Sequence, residues 1–163
     1  RSQRFALDIL ALSAAGVRAR GLYPRDPKRY AIWGAEVVSP CDGTVVAVAD
    51  KFPDHTPPNR DPANPPGNHV AIETGSAVVY LAHLMQGSVR VRVGEPVRAG
   101  QPLGLVGNSG NTTEPHLHIH AESGHYSGRM SGGAGVPILL GGRFLVRNDR
   151  VAAPIESSLG EAS

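Results

Sequence analysis

Three histidines alternate with apolar residues in Pro115-His116-Leu117-His118-Ile119-His120, behind the loop Gly107-Asn108-Ser109-Gly110-Asn111-Thr112-Thr113-Glu114. On a strand, successive side chains point to opposite faces, so the three imidazoles share one face while Leu117 and Ile119 enter the core. Imidazole is the commonest protein ligand for zinc-like metals and the usual acid or base near neutral pH. Cys41 is the single cysteine, so a metal site must be built from histidine and carboxylate. A hydrolytic zinc site usually has three protein ligands and keeps a fourth position for water. Further imidazoles beside that water can take its proton and hold a developing oxyanion. Asp8, His83, His116, His118 and His120 are the candidates. For His120 the plainer expectation is an exposed side chain that merely continues the alternation. His55, His69 and His125 carry no chemical signal of their own.

These residues must be positioned by short strands. Phe5, Leu7 and Ile9 alternate with Arg4, Ala6 and Asp8, a strand pattern that sets Asp8 on the face opposite Leu7. Residues 13–33 are basic and broken by Pro24 and Pro27, and they read as a surface excursion. Residues 34–48 read as a hairpin turning at Asp42-Gly43. Residues 51–67 hold six prolines and no apolar periodicity, which predicts a long loop of the functional or lid-like kind. Residues 67–73 and 78–84 pair as a hairpin around Thr74-Gly75-Ser76. The segment from Gly94 to Val106 repeats the layout of Gly34 to Val46, which suggests two similar β-hairpin units facing one another. Val136 to Leu140 and Phe144 to Val146 flank Gly141-Gly142 as a last hairpin, and the polar end is expected to fray. The reading is all-β: antiparallel sheets and hairpins around a groove, with one domain over 1–150 and a polar tail over 151–163.

Composition agrees. The chain has 163 residues, 20 glycines, 14 prolines and only 5% aromatics, which favours many short strands joined by turns. Net charge is +2, and the arginines are not interleaved with aromatics, so nucleic acid is not the expected partner. Attraction to an anionic surface such as a bacterial envelope is compatible with the charge. No apolar run approaches the ~20 residues of a membrane span. The chain begins at Arg1 with no signal peptide, as a processed form or an excised domain does.

Tyr80-Leu81-Ala82-His83-Leu84, then Val91 to Gly110, then Glu114-Pro115-His116-Leu117-His118 resemble the M23 (lysostaphin-like) metallopeptidases, in order, from about Gly34 to His120. The resemblance implies a duplicated-hybrid-motif type of β fold. It also implies a Zn²⁺ endopeptidase that cuts peptides of bacterial peptidoglycan in the periplasm or outside the cell. It assigns His118 and Asp8 to the metal and His116 and His83 to catalysis. It expects a further ligand histidine four residues before Asp8, where this chain has Arg4. Arginine offers no lone pair to a metal, and a guanidinium there is expected to pair with Asp8. The missing ligand then comes from His120, from His55, or from a histidine upstream of Arg1, or the metal is bound weakly. The alternative is a degenerate domain of the same fold that binds cell-wall peptide or regulates another hydrolase. A remoter reading is a carrier or sugar-binding β-domain.

Overall fold

The longest strand, Ala77–Leu84, is apolar along most of its length and covered on both faces. β-branched and aromatic residues suit such a pleated, buried surface. Val79 and Leu81 join Val45, Val70, Ile72 and Ile119 in the main core. Val78 and Tyr80 pack on the opposite face with Ala71, Tyr126 and Met130.

The computed structural model describes residues 2–130 and 132–152. In chain order its strands are β1 (Leu7–Ile9), β2 (Glu36–Val38), β3 (Gly43–Ala49), β4 (Asn68–Glu73), β5 (Ala77–Leu84), β6 (Pro96–Val97), β7 (Pro102–Leu105), β8 (Leu117–Ser123), β9 (Gly135–Val136), β10 (Leu139–Leu140) and β11 (Arg143–Phe144). The main sheet runs β1-β8-β5-β4-β3-β6 with β9 beside β8, and every pairing in it is antiparallel. A single 3-10 turn, Pro27–Arg29, is the helical content of the described residues. None of their helices is long and apolar enough to cross a membrane. The all-β antiparallel reading holds. Of the expected tail, residues 153–163 lie outside the described residues.

The β4–β5 hairpin forms as expected, and a shorter one than expected forms at Gly141-Gly142: Leu139–Leu140 pairs with Arg143–Phe144, while Val136 pairs with Ala121 of β8. At the shorter hairpin both glycines have positive φ, which the tight two-residue turn demands. The 34–48 segment does not close on itself. β2 pairs with β7 and β3 with β6, so the two similar units exchange strands crosswise. The reason lies at Ser39 and Pro40. Pro40 has no N–H for a ladder, and Ser39 is committed to the other unit: its N–H donates to Gln101 O, and its carbonyl accepts from Gly100 N–H.

Candidate functional site

Strand register builds one wall of the site. β1 lies against β8 with Asp8 opposite His118, and β8 lies against β5 with His118 opposite Ala82 and His120 opposite Tyr80. Directly paired residues share a face, so Asp8, His118, His120 and Glu122 all project from one side of the sheet. Phe5, Leu7 and Ile9 were expected to alternate along one strand, and the ordered strand is the three-residue stretch around Asp8.

His83 should not be on that face. By alternation it belongs with Leu81, on the core side. The β4–β5 register slips here: His69 pairs with Ala82 and Asn68 with Leu84, which leaves His83 unpaired as a bulge. Its φ is 64°, left-handed and uncommon for a residue with a side chain. Bulges re-aim side chains beside active sites. This one turns the His83 ring to within 4.7 Å of His116 and 5.8 Å of His118, centroid to centroid.

The bulge is held from behind. His83 N–H donates to Pro66 O, and its carbonyl accepts from Gly107 N–H. Fully buried Asn68 donates through Nδ2 to Phe52 O and Leu84 O, and its Oδ1 accepts from Phe52 N–H. Ser109 Oγ takes the Asn68 N–H and donates to Leu84 O. The 51–67 loop is stitched to the 107–111 loop through His55 N–H to Asn108 O, Asp61 N–H to Gly110 O and Asn111 N–H to Pro65 O. A Cβ on Gly110 would run into the Gly67 backbone, so glycine is required at that crossing. The proline-rich loop is therefore a fixed wall, tied down by backbone bonds, rather than a lid.

Hydrogen bonds to fixed acceptors decide which ring nitrogens are free. His83 Nδ1–H donates to Ser109 O at 2.9 Å, leaving Nε2 as the lone-pair nitrogen. His116 Nδ1–H donates to Glu114 O at 2.9 Å, beside Thr112 Oγ1, and likewise frees its Nε2. His118 heads a buried chain. Its Nε2 faces His120 Nδ1 at 3.1 Å, and His120 Nε2 faces Glu122 Oε1 at 3.3 Å. Glu122 Oε2 accepts the N–H groups of Gly132 and Gly133. The carboxylate end can only accept, so His120 carries its proton on Nε2 and accepts the His118 Nε2–H. His118 Nδ1 is left for a cation, or for a proton shared with Asp8 Oδ1, which lies 2.8 Å away. The same oxygen lies 3.5 Å from His116 Nε2.

Asp8, His116 and His118 thus converge, and the protons that bridge their contacts sit where a cation can replace them. His83, His116 and His118 each place a donor atom within 4.8 Å of the others. Histidine and carboxylate are a zinc-type donor set. Hydrogen bonds from His116 and His118 hold the Asp8 carboxyl far below the usual carboxylate range. Burial, with help from nearby His116, pushes His83 down to about 4. Burial opposes charge on His116 too, but the Asp8 hydrogen bond and the Glu114 carbonyl outweigh it and raise its pKa.

Two sequence expectations are corrected at this site. His120 is not an exposed continuation of the alternation: it is 1% exposed and stacks on Tyr80 at 4.8 Å, because the sheet face carries a second apolar layer there. Arg4 does not pair with Asp8; its guanidinium lies 5.2 Å over the Phe5 ring, where cation–π attraction competes with the half-exposed carboxylate. His55 serves the loop through its backbone, His69 Nδ1 is committed to Gly67 O, and His125 pairs with Glu73. Glu122 escaped notice in the sequence, although period-two counting from His120 leads to it.

A sequence profile described as peptidase family M23 matches residues 30–128. Over 52 residues the chain is 40% identical to the peptidoglycan DD-endopeptidase ShyA of Vibrio cholerae, a match that covers 32% of this chain and 12% of that protein. The chain thus spans only a small part of that relative's length. The catalytic domain of the prophage-encoded M23 protein EnpA from Enterococcus faecalis, solved as a point mutant, is 22% identical, with TM-score 0.49, over 78% of this chain and 92% of that one. A zinc-containing peptidase from Vibrio cholerae is 25% identical, with TM-score 0.44, over 70% of this chain and 36% of that one.

Proposed function

The chain belongs to peptidase family M23, and on that premise we propose that it is a zinc metalloendopeptidase hydrolysing peptide bonds of bacterial peptidoglycan, in the periplasm or outside the cell. One observation carries the reading: Asp8 Oδ1 stands against ring nitrogens of both His118 and His116. The ShyA likeness points the substrate toward peptidoglycan. Asp8 and His118 hold the metal. When bound, zinc supplies Lewis acidity, lowering the pKa of water toward neutrality and polarising a carbonyl.

The chain's own residues do the rest. His83 Nε2 and His116 Nε2 face the same space with their other nitrogens committed, so they can take a proton from attacking water and hold the developing oxyanion. The Glu122–His120 chain fixes the ring of His118, as partners behind a metal ligand do. The 51–67 and 107–111 loops, bonded to each other and to His83, hold its ring in a fixed orientation, which is what positioning a reacting group requires.

Elemental analysis of protein purified without chelator or histidine tag tests the reading, alongside release of new amines from purified peptidoglycan. Near-stoichiometric zinc and hydrolysis, both absent in His118→Ala, are expected. Protein that holds no zinc and refuses added zinc overturns it. Arg4 favours a second reading, a non-cutting domain that binds cell-wall peptide or regulates another hydrolase; metal-free protein that still sediments with peptidoglycan is its signature.

A further inference from the structure

Charge in this chain is segregated. Five of its sixteen basic residues and one of its fourteen acidic residues fall within 13–33, so that excursion carries +4 while all other residues together carry −2. The excursion is an ordered projection. Arg20 N–H donates to Arg29 O, Ala31 N–H to Arg18 O, and buried Tyr30 ties the base down through its hydroxyl to Pro24 O. Arg18 is engaged by Glu114 at 2.9 Å. Among the described residues none of Arg20, Arg25, Lys28 and Arg29 has a carboxylate within ion-pairing distance. Arg20 and Arg29 face each other across the two arms, and like charges so placed destabilise a pair of strands. At the tip between them stand Leu22, 90% exposed, and Tyr23, 80% exposed with φ 47°.

A soluble polyanion accounts for the cations but not for an apolar tip. An apolar and aromatic tip flanked along the chain by unpaired cations has the composition of an interfacial membrane anchor. Basic residues are attracted to anionic headgroups, and tyrosine favours the boundary between headgroup and acyl chain. We propose that the 13–33 excursion docks this domain on an anionic phospholipid bilayer, with Leu22 and Tyr23 entering the interface and Arg20, Arg25, Lys28 and Arg29 binding headgroup phosphates. The Arg18–Glu114 bridge ties the anchor to the residue whose carbonyl orients His116. Docking thereby sets the direction of the histidine face relative to the surface. The inference is independent of the peptidase reading.

The test is co-sedimentation of the 163-residue chain with phosphatidylcholine vesicles and with equimolar phosphatidylcholine–phosphatidylglycerol vesicles. Trp33, the single tryptophan, lines the cleft beside Arg20 and Arg29 and reports by its emission. Binding to the anionic vesicles only, weakened by salt and accompanied by an emission change, is expected. Arg20→Glu/Arg29→Glu should lower partitioning at least tenfold, since each basic residue near such a surface is worth roughly fivefold. Leu22→Ser/Tyr23→Ser should lower it about tenfold through lost apolar insertion. Unchanged melting verifies the fold of each variant. Three results overturn the proposal: no binding, equal binding to both vesicles, or a Leu22→Ser/Tyr23→Ser variant that binds as tightly as the parent.

Discussion

On strand β8 the site residues reach their face by pleat alone, whereas at the end of β5 His83 reaches the same face only because the backbone leaves the pleat. His118, His120 and Glu122 recur at every second residue and need nothing but a strand. His83 needs an unpaired position, a left-handed φ and a clamp of neighbours to hold it there. A non-glycine residue in that conformation costs about 1–3 kcal/mol, which the surroundings must offset. Regular structure thus positions the donors proposed for the metal without strain, and the strained element positions the group proposed to handle protons, which the pleat alone would have buried in the core.

The largest effect that separates the two regions is on metal. His118→Ala should abolish zinc binding and hydrolysis together, whereas His83→Ala should keep zinc and lose about a hundredfold to ten-thousandfold in kcat. Zinc titration of both variants decides this. His116→Ala sharpens the contrast, because Arg4 leaves a ligand position to be filled. Retained zinc in that variant makes His116 a proton-handling group, and lost zinc makes it the third donor.

Next comes the clamp. Asn68→Ala leaves Phe52 N–H and Phe52 O without these partners and Leu84 O with Ser109 Oγ in place of two donors, a cost of roughly 2–4 kcal/mol. A lowered Tm with zinc content intact is expected, since β8 does not depend on Asn68. If Asn68→Ala strips the metal while leaving Tm alone, the separation between bulge and strand is wrong.

Behind the regular strand, Glu122→Gln should weaken zinc affinity about 10–100-fold. A glutamine amide can donate as well as accept, so it no longer dictates the His120 tautomer, and the Nδ1 lone pair of His118 is no longer enforced. Chelator competition measures it. The smallest change is Arg4→His, which should tighten zinc modestly by restoring the nitrogen donor that the family resemblance expects.

How much of this was legible follows the same division. The β8 face, Asp8 on a neighbouring strand and the β4–β5 hairpin could be read from alternation and turn residues, because period two is a local property. The bulge could not, since the slip at Asn68 and His69 is set by loop residues far along the chain. The crosswise pairing was half legible: the two similar units announced themselves, but not that each would pair with the other. His120 was misjudged because a strand face is exposed only until something packs on it, and Tyr80 is supplied by another strand.

That crosswise pairing has a consequence for how the molecule comes together. β4 and β5 are neighbours in sequence and can zip locally around Thr74–Ser76. β2 and β7, or β3 and β6, must meet from opposite sides of that hairpin before either pair gains a bond, so the entropy of chain closure is lost before any contact offsets it. The amino-terminal half owns no sheet: β1, β2 and β3 pair only with strands beyond residue 67, whereas β4, β5, β8 and β9 pair among themselves. Severed within residues 51–67, the chain becomes one piece without a sheet and one that keeps the histidine strand, and Asp8 should return to His118 only when both are mixed.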